Sequence, residues 1–440
     1  MELSEEQNQA LSLFQNGKNI FLTGPGGSGK SVLIRKFVED ANLRNKEVQV
    51  CALTGCAAVL LGCQGAKTIH SWAGIGIATG PFGSVVDRVI SNKHRKYPWK
   101  KVDILIIDEV SMMSKKIFEV LDTIGKKIRK SYDKPFGGIQ IIFSGDFYQL
   151  PPVGNPEEPD TCAFCFESER WKETFDSTIV LKKIFRQTDN NYTKILNNIR
   201  QGVITKKSFQ RLQERVDMPI PEDSIIKPTI LQPCRKDADI INKSQLALLD
   251  GESKVFMLKE TNNVPITDKT NGYSPKISPE YRDMELKQLR NNIRADEKLI
   301  LKIGTQVMCV ANLDMEGPYP IVNGSQGVII DFVHELPLVQ FNDGQKRIIG
   351  EHTWPSESIP GMGLKQIPLI YAWAITIHKS QGVTLDCAQI DVGSQIFECG
   401  QTYVALSRVK DLNGLYLTGF NPEKIKVSRK VQTFYKGLIV

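Results

Sequence analysis

The pattern of the chain begins with an apolar run over residues 20–23, after which Leu33, Ile34, Phe37 and Val38 recur at helical spacing. A short apolar run followed by such a stripe predicts a buried strand feeding an amphipathic helix. Further strand-like runs at 48–53, 104–107, 139–143 and 178–181 alternate with helical patterns. The alternation predicts a parallel sheet covered by helices, with ligands at the carboxyl ends of its strands. A second set at 229–232, 369–371, 388–392 and 415–417 implies a second α/β domain of similar design.

Two stretches interrupt this order. Between about 251 and 363 lies a polar segment rich in Asn, Lys and Pro, followed by short alternating strands at 307–310, 327–330 and 338–341. With Gly, Asn and Asp turns between them, these strands predict a small antiparallel β-barrel. A shorter Gly-rich interruption occupies 65–95. A chain of 440 residues is too long for one ordinary core, so two or three domains are expected.

The turn after the first strand carries the strongest chemistry. Gly24-Pro25-Gly26-Gly27-Ser28-Gly29-Lys30-Ser31 completes G-x-x-x-x-G-K-[ST] between strand and helix. Glycines let the backbone curl so that N–H groups face phosphate oxygens, and the helix adds its positive end. Lys30 neutralises the phosphates, and Ser31 offers an oxygen to Mg²⁺.

The strand at 104–107 runs into Asp108 and Glu109, the pattern of a Walker B element. Asp108 is placed to hold Mg²⁺ through its water shell, and Glu109 to polarise the water attacking the γ-phosphate. A neighbouring strand ends in Ser144-Gly145-Asp146-Phe147-Tyr148-Gln149-Leu150-Pro151-Pro152, where Gln149 can sense the γ-phosphate or the attacking water.

Composition narrows the class without fixing it. No stretch approaches the roughly 20 apolar residues of a membrane span, and the start, Met1-Glu2-Leu3-Ser4-Glu5-Glu6, does not look like a signal or transit peptide. Nine scattered cysteines fit a reducing compartment rather than a disulfide framework. Cys162 and Cys165 have ligand spacing but no second pair or nearby histidine, so they read as half-buried thiols. An intracellular, non-secreted, soluble chain is expected, with idle sequons at Asn191, Asn242 and Asn323. The net charge of +7 permits a polyanionic partner but does not demonstrate one.

Taken in order, Leu3-Ser4-Glu5-Glu6-Gln7, the phosphate loop, Leu53-Thr54-Gly55-Cys56-Ala57-Ala58, Ile107-Asp108-Glu109-Val110-Ser111-Met112 and the glutamine loop resemble the motifs of superfamily one helicases. Asp133-Lys134-Pro135-Phe136-Gly137-Gly138-Ile139-Gln140, preceded by a helical segment at 117–129, resembles the signature of the PIF (petite integration frequency) DNA helicases, of the RecD-like B branch. Phe185-Arg186-Gln187, Leu231-Gln232-Pro233-Cys234-Arg235, Thr376-Ile377-His378-Lys379-Ser380-Gln381-Gly382 and Tyr403-Val404-Ala405-Leu406-Ser407-Arg408 continue the likeness through most of the chain. Cys56 and Cys234 depart from it without removing a catalytic group.

The resemblance implies two RecA-like domains that bind ATP and Mg²⁺ between them. The first would comprise 1–64 and 96–183 with a wedge subdomain at 65–95, and the second 184–250 and 363–440 with the small barrel at 251–362. Gln7 matches the reader of the adenine edge, and Arg186 and Arg408 match arginine fingers for the γ-phosphate. Thr54, Ala57, Ala58, His70, Ser71, Thr376, His378 and Lys379 match positions that meet a DNA backbone. His70 reads equally as a structural histidine.

The activity so implied is ATP-driven 5′ to 3′ translocation on single-stranded DNA, with unwinding at duplex junctions by a monomeric or weakly associating chain. In the wedge, Gly74, Gly76, Gly80 and Gly83 are expected to turn the chain, while Ile75, Ile77 and Phe82 either face the junction or pack onto their own domain. Lys93-His94-Arg95-Lys96-Tyr97-Pro98-Trp99-Lys100-Lys101 mixes base and aromatic, yet reads as a solvated helix end with Trp99 packed inward. Two other classes compete. A P-loop remodelling ATPase would lack the 376–382 motif, and a non-hydrolysing nucleotide switch is disfavoured by Lys30, Glu109, Arg186 and Arg408 occurring together.

Overall fold

In the computed structural model the described residues are 3–63, 65–76, 78–187, 189–220, 227–264, 278–293, 295–313, 321, 323–356, 359, 361–378, 380–393 and 395–438. They form two compact units. One comprises Met1–Arg211, Ile396–Ser407 and Asn421–Val440, and the other Leu212–Gln395 and Arg408–Phe420. The sequence assigns 184–440, apart from the barrel, to a second RecA-like domain. By contacts, 184–211, 396–407 and 421–440 instead cluster with the phosphate loop.

The first unit is built on six parallel strands: β1 (Ile20–Thr23), β2 (Val48–Ala52), β3 (Lys67–Thr68), β4 (Ile104–Asp108), β5 (Gln140–Gly145) and β6 (Ser177–Val180), in the order β3-β2-β4-β5-β1-β6. β1 therefore lies between β5 and β6, and β4 between β2 and β5. Strand alternation sends side chains to two cores. Ile20, Leu22, Ile104 and Ile106 join the stripe Leu33, Ile34 and Phe37 of the helix Lys30–Leu43. Phe21, Leu105, Ile107 and Phe143 enter an aromatic cluster with Phe118, Phe136, Phe147 and Trp171.

The helical signature segment explains itself in backbone geometry. On the helix Lys115–Arg129, a Cβ on Gly125 would lie 2.5 Å from Phe136 O, and one on Gly137 would lie 2.4 Å from Gly125 O. Only two glycines allow that approach. Asp122, on the same helix, accepts the Phe136 N–H at 2.8 Å and pairs with Lys126 and Arg170, each at 2.9 Å.

In the interruption at 65–95, β3 extends the main sheet, and the helix Phe82–Ile90 buries Val85, Val86 and Val89. Ile75 is fully buried and Phe82 partly packs on the same core, so Ile75 takes the structural alternative. Ile77 lies outside the described residues. Gly74, Gly76 and Gly80 have positive φ, whereas Gly83 sits inside the helix and turns nothing. Trp99 is fully buried and donates to Ala73 O at 3.3 Å. Cys162 is exposed rather than half-buried, while Cys165 is buried with its thiol on Val110 O.

The second unit holds a four-stranded parallel sheet of Thr229–Gln232, Ala374–Thr376, Ala388–Val392 and Leu415–Phe420. The run at 369–371, expected in this sheet, instead pairs antiparallel with Gln306–Cys309. Ala372 N–H goes to Gln306 O, while Trp373 O receives Ile230 N–H, so the chain changes sheets within two residues. Among the described residues the predicted barrel is an open five-stranded sheet that includes Gln326–Val333, Leu336–Phe341 and Lys346–Ile348. Its terminal strands Lys346–Ile348 and Leu369–Tyr371 do not pair with each other, which leaves it unclosed. Separate two- and three-stranded sheets stand beside it in sequence. No described helix is long and apolar enough to cross a membrane.

Candidate nucleotide and nucleic-acid site

The phosphate loop leaves the end of β1 and enters the helix Lys30–Leu43 through Gly29, whose φ is +86°. A side chain there would meet Gln7 Nε2 at 2.7 Å and the Phe185 ring at 3.5 Å. Gly27 is covered in the same way by Arg186, and Gly27 O accepts Phe185 N–H at 2.8 Å. Gln7, Phe185 and Arg186 thus line the loop that the sequence pairs with them only by motif order. Gln7 Oε1 accepts from Ser4 N–H at 2.9 Å in a capping box, so its amide nitrogen is the end turned to the loop.

Lys30 Nζ donates to Gly24 O at 2.7 Å and Pro25 O at 3.0 Å. Burial lowers its pKa, opposed by the charges of Asp146, Glu109 and Asp108. Ser28 Oγ is buried with no hydrogen-bond partner among the described residues. An orphaned buried donor two residues from the half-buried Lys30 ammonium matches a phosphate oxygen. Gly26 N–H is already engaged, donating to the Tyr403 hydroxyl at 2.9 Å.

Asp108 ends the central strand β4 and is buried. Burial pushes its carboxyl up, against the Ser144 hydroxyl and Lys30, which pull it down. Such a group regains its charge most readily beside a hard cation, so Asp108 with the Ser31 hydroxyl at the helix start suits Mg²⁺. Glu109 follows in the left-handed region, φ 55° and ψ 40°. That conformation in a non-glycine residue costs about 1–3 kcal/mol and recurs where a side chain must be aimed.

Gln149 is buried, its N–H on Asp146 O at 2.9 Å. Arg186 is half-buried, donates to Ser407 O at 3.3 Å, and has its pKa lowered by burial while Tyr403 and Glu109 oppose the shift. Lys30, Asp108, Glu109, Arg186 and Tyr403 therefore share one electrostatic neighbourhood. Arg408 belongs to the other unit, 1% exposed and donating to Ser380 O at 3.3 Å.

The positions matched to DNA separate into two kinds. Thr54 Oγ1 caps the helix Gly55–Leu60 through Ala57 N–H, but the Ala57 and Ala58 side chains are buried in the core. His70 and Ser71 are half-buried on the helix Ile69–Trp72, and burial lowers the His70 pKa. In the second unit Thr376 ends its strand and is buried, and His378 is half-buried. Lys379 lies outside the described residues.

Sequence reasoning gave no role to Tyr403, Asp146, Arg200 or Tyr435. Tyr403 and Asp146 lie in the recognised motifs. Arg200 and Tyr435 carry no local signal, because only the fold brings them to the loop.

Residues 2–210 match the family described as PIF1-like helicase, and 286–332 match the 2B domain of the DNA helicase Pif1. The chain is 35% identical to ATP-dependent DNA helicase PIF1 of Danio rerio over 99% of its own length and 64% of that protein, so it spans under two thirds of that relative. It is 36% identical to ATP-dependent DNA helicase Pif1 of Bdellovibrio bacteriovorus, covering 99% of this chain and 92% of that one. A crystal structure of Bacteroides Pif1 helicase in complex with ADP-AlF3 and single-stranded DNA is 28% identical, with a TM-score of 0.67 over 99% of this chain and 97% of the other. With the phosphate loop, the Walker B carboxylates and the glycine-locked signature all in place, the chain belongs to the PIF1-like helicase family.

Proposed function

We propose that the chain is an ATP-dependent DNA helicase that moves 5′ to 3′ on single-stranded DNA and opens duplex or structured DNA during replication, repair or recombination. The observation that carries this is the phosphate loop packed against Gln7 and Arg186, with Lys30 set among Asp108, Glu109 and Asp146. In this reading Gly24 to Ser31 cradle ATP, and Ser31 with Asp108 hold Mg²⁺, which would neutralise phosphate charge when bound. Glu109 orients the attacking water, Gln149 senses the γ-phosphate, and Arg186 and Arg408 stabilise the transferring group. The Bacteroides relative's ADP-AlF3 and single-stranded DNA support the same ligands here.

Thr54, the start of the helix Gly55–Leu60, His70, Ser71, Thr376, His378 and Lys379 meet the DNA backbone, and the segment 65–95 carries the wedge. The chain works inside the cell as a monomer or weak associate. ATP turnover with and without single-stranded DNA, followed by strand separation on 5′- and 3′-tailed duplexes, tests the reading. DNA should stimulate turnover, the stimulation should fall with salt, and only the 5′-tailed duplex should open efficiently. Turnover indifferent to nucleic acid at low salt would favour a remodelling ATPase.

A further inference from the structure

Thr23 and Gly145 are register partners at the carboxyl ends of β1 and β5. Beyond Thr23 the chain becomes the phosphate loop, and beyond Gly145 the glutamine loop. One side chain from the far end of the sequence touches both. Tyr435, on the helix Arg429–Lys436, places its hydroxyl 2.6 Å from Thr23 Oγ1, accepts the Phe147 N–H at 3.1 Å, and lies 3.4 Å from Asp146 Oδ1. Asp146, fully buried, accepts both Nε and Nη2 of Arg200 at 2.8 Å. The guanidinium in turn lies 4.5 Å from the centre of the Tyr148 ring, which stacks on Tyr435 at 4.6 Å.

Packing alone does not require this hydroxyl. The helix is already anchored by Val431 and by Phe434, which stacks on Phe166 at 4.3 Å and meets Phe147 edge-on at 5.4 Å. A phenylalanine at 435 would bury the same ring without desolvating a phenol. A phenol bonded across two strand ends fixes their separation, and a fork from Arg200 fixes the carboxylate between them. Asp146 also opposes the loss of charge that burial imposes on Lys30.

We propose that Tyr435, together with Arg200, is a positioning residue for ATP hydrolysis: it clamps the start of the glutamine loop to the end of β1, so that Gln149 and the phosphate loop keep one relative geometry. This rests on the ATPase reading above. Ground-state phosphates are held by Lys30 and loop N–H groups that the clamp leaves intact, so its loss acts on turnover rather than binding.

The test compares wild type with Tyr435→Phe and Arg200→Lys in DNA-stimulated ATP turnover, alongside titration with fluorescent ADP for affinity and stoichiometry. Both variants should lose about tenfold in kcat, equivalent to roughly 1.4 kcal/mol of barrier. KM and ADP affinity should stay within about twofold, with stoichiometry unchanged. A kcat for Tyr435→Phe within about twofold of wild type overturns the proposal. So does a loss of turnover that merely follows a loss of ADP stoichiometry, since the hydroxyl then serves only folding. Should Tyr435→Phe not fold, Thr23→Val breaks the same clamp from the other side and is read by the same two outcomes. Wild type that binds ADP without hydrolysing ATP refutes the ATPase reading instead.

Discussion

The Tyr403 hydroxyl accepts a hydrogen bond from Gly26 N–H at 2.9 Å, so one of the N–H groups that a phosphate loop offers its nucleotide is already taken by the chain itself. An incoming phosphate has to displace the tyrosine, and a charged acceptor can do so. Tyr403→Phe removes the competitor. It should tighten ADP binding about fivefold, the equivalent of one net hydrogen bond of about 1 kcal/mol. Isothermal titration with ADP and Mg²⁺ checks this, and weaker binding would show that the hydroxyl serves the nucleotide directly.

Glu109 and Lys30 should separate turnover from binding. Glu109 sits at a left-handed backbone position, and Lys30 donates to Gly24 O within the phosphate loop; in the proposed reading the first acts on water and the second on the ground-state phosphates. Glu109→Gln should abolish turnover while retaining ATP, and Lys30→Ala should weaken both. Filter binding beside single-turnover hydrolysis reads the difference. Turnover of Glu109→Gln within a few-fold of wild type removes Glu109 from the reaction.

Gly125 makes a prediction about stability rather than chemistry. Its Cβ position lies 2.5 Å from Phe136 O and 2.7 Å from Phe136 C, backbone atoms that cannot swing away. Gly125→Ala, normally favourable within a helix, should therefore destabilise the first unit by about 2 kcal/mol or more. Urea denaturation followed through Trp99 and Trp171 fluorescence measures it, and an unchanged midpoint would mean that the signature loop moves freely.

Phe82 tests the wedge. It is half-buried at the start of its helix and packs partly on the core, so truncation should cost little stability. If the segment separates strands, Phe82→Ala should reduce unwinding of a 5′-tailed duplex several-fold and leave DNA-stimulated ATP hydrolysis near wild type. Parallel loss of both activities would make the segment structural.

The phosphate loop, the Walker B pair and eight of nine predicted parallel strands were legible because their determinants are local. A four-residue apolar run and a fixed glycine spacing specify strand and loop wherever they occur in a chain. The error at 369–371 has a tertiary cause. The sequence pattern assigns the run 369–371 to the parallel sheet, but hydrogen bonds to Gln306 and Ile230 divide the chain there between two sheets, and the parallel strand begins only at Ala374. Barrel closure failed for a similar reason: alternation predicts antiparallel pairing, while closure depends on whether the two edge strands meet.

The sequence by itself determined the candidates for handling a nucleotide, since Gly24 to Ser31 and the Asp108-Glu109 pair are contiguous motifs whose chemistry follows from residue type and spacing, with Gln149 added by the family resemblance. Only the tertiary structure decided what surrounds them. Arg200 and Tyr435 reach Asp146 across 54 and 289 residues of chain, and Tyr403 reaches Gly26 across 377. No local pattern encodes such partners, because a buried phenol or guanidinium is fixed by which polar groups the folded core leaves to be satisfied, and those exist only once the strands have paired.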